Sequence, residues 1–255
     1  MSQRAEEART VAQKTDIVVI LGSGPTALAA RDWDREWLDR IVVINNAWQV
    51  RDDWDDLIYP FDFPVERRPD HLQPGQRLIE ADQFVPTQNA YGGFVYAGGT
   101  MAFTAGYWAL HALRPRILAF LGCDMIYPNS GPTHFYGNGA ADPLRADITL
   151  QDLGAKSARL GLMAAAQGCA CVNLSTEESQ LLFQRARASE LRHKQFPLPD
   201  PAPVVGLVRD EDQLGYFVPN GRYWDETDRF DSSALAGLDA GWRAAWAQQG
   251  QAAAA

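Results

Sequence analysis

The chain has 255 residues, of which 46% are hydrophobic and 22% charged, and its formal net charge is −9. That is enough apolar material for one sizeable core, and it excludes global disorder. An acidic chain without a basic run lacks the footprint of a nucleic-acid binder, and no run of about 18 apolar residues suits an integral membrane segment.

Three cysteines, Cys123, Cys169 and Cys171, lie in or beside apolar runs, and no CxxC pair is present. An odd number placed this way argues against a disulfide framework and for a reducing, cytoplasmic compartment. Residues 1–15 are polar and charged, lack a hydrophobic signal core, and read as a flexible N-terminal arm.

The first predicted element is Asp16–Leu21, a β-branched run of buried-strand length. Gly22-Ser23-Gly24-Pro25-Thr26 ends it, and a helix is predicted over 27–38. Ile41–Ile44 is a second buried strand, closed by Asn45-Asn46, and Leu57–Tyr59 a third. Residues 64–100, rich in Pro, Gly, Asn and Gln, read as irregular, with short strands near 77–79 and 84–86. An apolar helix follows over 101–113, then a strand at Ile117–Leu121, closed by Gly122-Cys123-Asp124.

Residues 125–148 form a long loop dense in Pro, Gly and Asn, of the kind that serves as a lid. Residues 150–167 place Leu150, Leu153, Ser157, Leu160 and Ala164 on one helical face. Cys169–Leu174 is a fifth strand. Ser175 and Glu178 have the spacing of a capping box for a helix to about residue 194. A Pro-rich stretch over 196–204 leads into a tail, where Leu235, Leu238, Trp242 and Trp246 stripe a final amphipathic helix. Strands alternating with helices imply an α/β fold with a mostly parallel sheet and helices on both faces. The partition is then the arm, a body over 16–195, and a C-terminal tail and helix over 196–255.

In such sheets ligands bind outside the carboxyl ends of the strands. Three loops fit. Gly22–Thr26 offers glycines for close backbone approach, the hydroxyls of Ser23 and Thr26, and a following helix N-terminus with about half a positive charge. It suits a phosphate, or it is a bare tight turn; it is neither G-x-G-x-x-G nor a P-loop. Asn45-Asn46 offers neutral donors and acceptors for a sugar, base or phosphate, or simply a turn. Gly122–Asp124, with Tyr127, His134 and Tyr136 beyond it, brings a carboxylate at a strand end, two phenols able to donate to phosphate, and an imidazole able to act as a base. Arg145 is a candidate partner for an anion. His111 reads as a satisfied core histidine, and His71 and His193 as surface residues. No histidine spacing suggests a zinc site. Trp33, Trp37, Trp48, Trp54 and Trp108 read as core.

The series Gly22–Thr26, Asn45-Asn46, Gly98-Gly99-Thr100 before an Ala-rich helix, and Ile117–Asp124 resembles the bacterial sialyltransferases of glycosyltransferase family 42. It is also similar to the related DUF115 group, which includes archaeal 6-hydroxymethylpterin pyrophosphokinases and flagellin-modifying glycosyltransferases. The resemblance covers about residues 16–175. It implies a Rossmann-like nucleotide-binding domain, a CMP-sialic-acid-like donor, and inverting transfer without metal or other cofactor to a glycan, lipid-linked glycan or protein acceptor. It implies that Gly22, Ser23, Gly24, Pro25, Thr26 and Asn45 contact CMP, with Asn46 beside them, that Gly99 and Thr100 lie near the donor, and that Gly122 and Asp124 lie near the nucleotide. Tyr127 and Tyr136 would stabilise the departing phosphate, and His134 would be the base. The alternatives are a Mg²⁺-dependent pterin pyrophosphokinase-like enzyme and a nucleotide-binding protein without catalysis. A homo-oligomer joined through the aromatic C-terminal helix is compatible with each.

Overall fold

The computed structural model describes residues 16–127, 131–138 and 146–252; the N-terminal arm, Gly139 and Arg145 lie outside them. Seven strands form one sheet: β1 (Ile17–Leu21), β2 (Arg40–Ile44), β3 (Asp56–Ile58), β4 (Arg77–Ile79), β5 (Ile117–Leu121), β6 (Ala170–Asn173) and β7 (Gln184–Arg185). Their order is β4-β3-β2-β1-β5-β6-β7, and every pairing is parallel. The chain leaves β1 in one direction to lay down β2, β3 and β4. It then returns to place β5 on the other side of β1. The α/β, Rossmann-like architecture therefore has its topological switch between β1 and β5, where open α/β sheets receive ligands.

Strand residues alternate between two cores, because successive side chains of a strand point to opposite faces. Val18, Ile20, Val42, Leu118 and Phe120 pack on one face; Ile17, Val19, Leu21, Ile41 and Val43 pack on the other. The helices α1 (Ala81–Ala90), α2 (Phe94–Ala97), α3 (Met101–Ala112), α4 (Leu153–Ala165), α5 (Val204–Leu214) and α6 (Ser232–Ala252) complete the fold. Helix α3 lies directly on β1, β2 and β5, while α4 joins it to α6. The opposite face is covered by short 3-10 segments. Trp54 and Trp108 are buried in the core, and Trp33, Trp37 and Trp48 pack half-buried against it.

Four local expectations are corrected. The helix predicted over 27–38 is a pair of 3-10 helices, Pro25–Asp32 and Arg35–Trp37. Its buried residues, Ala27 and Ala30, are three apart, which matches the three-residue turn of that helix. The strand predicted near 84–86 lies inside α1, where Phe84, Thr87 and Gln88 turn inward at helical spacing and Pro86 stays exposed. No α-helix forms over 175–194. There Leu181 and Phe183 join one core while Ala188 and Leu191 join the other, and a helix cannot serve both faces of a sheet. Ser175 instead accepts from the Glu177 N–H at 3.1 Å. Finally, α5 occupies a stretch expected to be tail. It starts after Pro203 and ends at the left-handed Gly215, the usual asymmetry of helix ends.

Buried charges tie the C-terminal helices to α4. Arg159 Nε and Nη2 each donate to the Glu211 carboxylate at 2.7 Å, and Nη1 donates to the Tyr107 hydroxyl at 2.7 Å. Trp242 Nε1 donates to Glu211 at 2.8 Å. Burial works against charge on Arg159, but Glu211 and Tyr107 outweigh it and hold the guanidinium protonated. Lys156 reaches Asp239 at 2.8 Å in a second buried pair. Such pairs add little over an apolar replacement, yet losing one partner strands a charge in the interior.

Candidate functional site

The carboxyl ends of β1 and β5 are locked together by backbone. Gly22 N donates to Leu121 O at 2.8 Å, and Gly24 N to Gly122 O at 2.9 Å. A Cβ on Gly22 would stand 2.3 Å from Gly122 O, and one on Gly24 would stand 2.8 Å from the same atom. Gly122 is itself left-handed, at φ +66, and a Cβ there would meet the Gly22 carbonyl oxygen at 2.8 Å. These glycines let two loops touch each other. The N–H groups of Gly22 and Gly24 are spent on carbonyls, so the phosphate cradle expected of Gly22–Thr26 is largely closed from within. Pro25 opens the following 3-10 helix and brings no N–H of its own.

What the loop does present is an acceptor. Thr26 Oγ1 donates to Asp124 Oδ2 at 3.1 Å, so its hydroxyl proton is also taken. The other carboxylate oxygen, Asp124 Oδ1, is buried and has no hydrogen-bond partner among the described residues. Asn45, at the end of β2 on the other side of β1, repeats the pattern: its Oδ1 is buried without a partner among the described residues. A buried, unpaired acceptor costs roughly 1–3 kcal/mol, so two at the ends of the strands on either side of β1 ask for a ligand that donates. The backbone is strained at both places. Asn45 has φ +52 and Met125, directly after Asp124, has φ +54. Asparagine tolerates this region; a buried methionine does so at a cost, and such residues gather at ligand sites. Asn46 is buried beside Asn45.

Thr100 caps the N-terminus of α3, and its Oγ1 meets Met125 Sδ at 3.6 Å, which brings Gly99-Thr100 to the same edge. Gly99 is pressed from above: a Cβ there would meet Thr149 Oγ1 at 2.4 Å and the Tyr223 hydroxyl at 2.9 Å. Tyr223 donates to Asp147 Oδ2 at 2.8 Å, and Asp147 Oδ1 accepts from Thr149 N and Oγ1 at 2.8 and 2.6 Å. Sequence reasoning missed these three residues. Asp147-x-Thr149 carries the short side-chain-to-backbone signature of a capped turn, but Tyr223 carries no local signal.

The loop after β5 folds a tight hairpin onto this edge. His134 and Gly137 exchange both backbone hydrogen bonds at 3.0 Å, and Phe135 N donates to Ser23 O at 3.0 Å. His134 is buried rather than a solvated loop residue. Its ring stacks on Tyr136 with centroids 5.0 Å apart, and its Nδ1 lies 2.9 Å from Thr133 Oγ1. Burial lowers its pKa, so the imidazole is neutral near pH 7. Tyr136 is exposed, whereas burial raises the half-buried Tyr127 hydroxyl to about 12 and keeps it a donor. Cys123, Cys169 and Cys171 are buried free thiols whose pKa values burial raises, so none is poised as a nucleophile.

His111 is exposed in the last turn of α3, contrary to the core role expected of it; His71 and His193 are exposed as expected. With Tyr91, Arg114 and Gln167 it lines a cavity of about 460 Å³ at the opposite, amino end of the sheet. This hollow and the orphaned acceptors Asp124 Oδ1 and Asn45 Oδ1 therefore lie on different edges. The acceptors mark the candidate site, because Asp124 Oδ1 and Asn45 Oδ1 stand at the carboxyl ends of strands beside the topological switch, whereas other buried unpaired oxygens, such as Asp239 Oδ2, do not. Among the described residues, no three His, Cys, Asp or Glu side chains are grouped to hold a metal ion, and no helix is long and apolar enough to cross a membrane.

No family model, curated protein or solved structure matches this chain.

Proposed function

We infer that the chain binds a nucleotide-linked sugar at the carboxyl edge of β1, β2 and β5 and transfers the sugar, with a CMP-linked, sialic-acid-like donor. The observation that carries this reading is the pair of buried, unpartnered acceptors, Asp124 Oδ1 and Asn45 Oδ1, flanking the topological switch. Ribose hydroxyls are the donors that suit them. A phosphate does not, since a carboxylate repels it. The phosphate instead faces the hydroxyls of Tyr127, Tyr136 and Ser23, which need no metal to stabilise the charge of departing CMP. Neutral His134 takes the proton of the acceptor hydroxyl as that oxygen attacks the anomeric carbon. The C–O bond to the phosphate breaks, and one displacement inverts the centre.

One titration panel tests this: CMP, a CMP-sugar, ATP and a pterin, each with and without Mg²⁺, followed by assay for released CMP. Saturable binding of CMP and the CMP-sugar that is indifferent to Mg²⁺ supports the reading. Mg²⁺-dependent binding of ATP with pterin, and none of CMP, replaces it with a pyrophosphokinase. CMP binding without turnover on any acceptor leaves a nucleotide-binding protein.

A further inference from the structure

The rim of this edge carries two large aromatic rings that belong to no core. Phe61, in the turn after β3, is 72% exposed, and Trp224 is 45% exposed. They come from distant parts of the chain, yet their rings stack with centroids 6.0 Å apart and planes 26° apart. Arg222 brings its guanidinium carbon to 5.9 Å from the Trp224 ring centroid and pairs with Asp225 at 2.7 Å. Asp62, next to Phe61, is exposed. The result is an exposed apolar pair of rings edged by charges of both signs. Exposed paired aromatics of this kind mark interaction sites.

The platform is continuous with the candidate site. Trp224 adjoins Tyr223, whose hydroxyl covers Gly99; Thr100 meets Met125, and Met125 follows Asp124. Phe61 leaves the carboxyl end of β3, two strands from β1. At about 4.8 Å per strand spacing this places it roughly 10 Å sideways from β1 and roughly 14 Å from β5.

We propose that Phe61 and Trp224 form the acceptor subsite, and that the acceptor is a carbohydrate whose pyranose ring lays its apolar C–H face on this platform. The inference rests on the glycosyl-transfer reading above. The C–H groups of one sugar face carry a small positive charge that meets the negative face of an aromatic ring. Hydroxyls around the same sugar both donate and accept, as the Asp62, Arg222 and Asp225 rim requires. The net charge of −9 disfavours an anionic surface as occupant.

The test uses the full chain with Phe61→Ala, Trp224→Ala, and Trp224→Phe as a conservative control. Methyl β-galactopyranoside, lactose and maltose are titrated in the presence of saturating CMP, and CMP is titrated alone. The expected result is at least a tenfold loss of glycoside affinity in both alanine variants, partial recovery with Trp224→Phe, and CMP affinity within twofold of wild type. Because both side chains are exposed, the circular dichroism and unfolding midpoints stay at wild-type values. Glycoside affinity unchanged in both alanine variants overturns the proposal. Loss of CMP affinity in Trp224→Ala also overturns it, and reassigns the platform to the base. Wild type that binds CMP but no glycoside overturns the proposal alone. Wild type that binds no CMP or CMP-sugar, yet binds glycoside in a Trp224-dependent way, keeps the platform and sinks the donor reading.

Discussion

Replacing Gly24 by alanine separates two roles that a glycine loop can have. Gly24 has φ −60 and ψ 161, a conformation that any residue adopts, so the backbone dihedrals raise no objection to alanine. The objection is contact. The new Cβ stands 2.8 Å from Gly122 O, 3.1 Å from Gly122 C and 3.3 Å from Gly122 Cα. All three are backbone atoms that no rotamer change can move aside. The loops must part by several tenths of an ångström, which weakens the 2.9 Å bond from Gly24 N to Gly122 O. Overpacking of this kind costs about 1–3 kcal/mol, and the weakened hydrogen bond about 0.5–1.5 kcal/mol. The expected loss is therefore roughly 2–4 kcal/mol, a large share of the stability of an ordinary domain. Urea unfolding followed by tryptophan fluorescence measures it as a lowered midpoint with unchanged slope. Gly22→Ala, with contacts of 2.3 Å to Gly122 O and 2.7 Å to Cys123 Sγ, should cost more. A Gly24→Ala protein that unfolds within about 0.5 kcal/mol of wild type refutes the loop-locking argument. The glycine would then be there for a ligand and not for Gly122.

His134→Ala should lower sugar transfer by about 10²–10⁴ while CMP affinity stays near wild type, and an equal loss of both would make His134 a binding residue. Its lowered pKa also sets a sign for stability. Below the ordinary imidazole value near 6.5 the unfolded chain takes up a proton that the folded site resists, so stability is full above that pH and falls as pH drops toward the lower folded value. Unfolding midpoints from pH 7.5 to 5 should show this slope in wild type and a shallower one in His134→Gln; identical slopes would contradict it. Glu211→Gln removes the carboxylate that holds buried Arg159 and should cost about 3–5 kcal/mol, whereas a paired Arg159→Met, Glu211→Leu change should recover most of that loss. If the single and double variants unfold alike, the pair is not the coupling that ties α5 to α4.

The central strands were legible because β-branched runs such as Ile17–Leu21 and Ile41–Ile44 are apolar on both faces, as only a buried parallel strand is. Placement of the candidate loops at their carboxyl ends followed from that alone. The 3-10 segments were not legible, because Ala27 to Leu38 carries the composition of an α-helix and only packing selects the tighter turn. The chain over 175–194 misled through a capping-box spacing that local sequence cannot tell from a turn, since the two-sided burial of Leu181 and Leu191 appears only once the sheet edge exists. Within the site, Gly22, Gly24 and Asp124 stood out by position, but the reason for the glycines did not. A loop built to touch another backbone and one built to touch phosphate share the same residues. Tyr223 and the Phe61–Trp224 pair were invisible, since contacts between distant segments leave no spacing to read.

The location of bound CMP decides the account. A crystal structure of the protein with CMP should place a ribose hydroxyl within about 3 Å of Asp124 Oδ1, with Asn45 Oδ1 taking a second donor and the phosphate turned toward Tyr127 and Tyr136. CMP lodged instead at the amino end of the sheet, against His111 and Arg114, would contradict it.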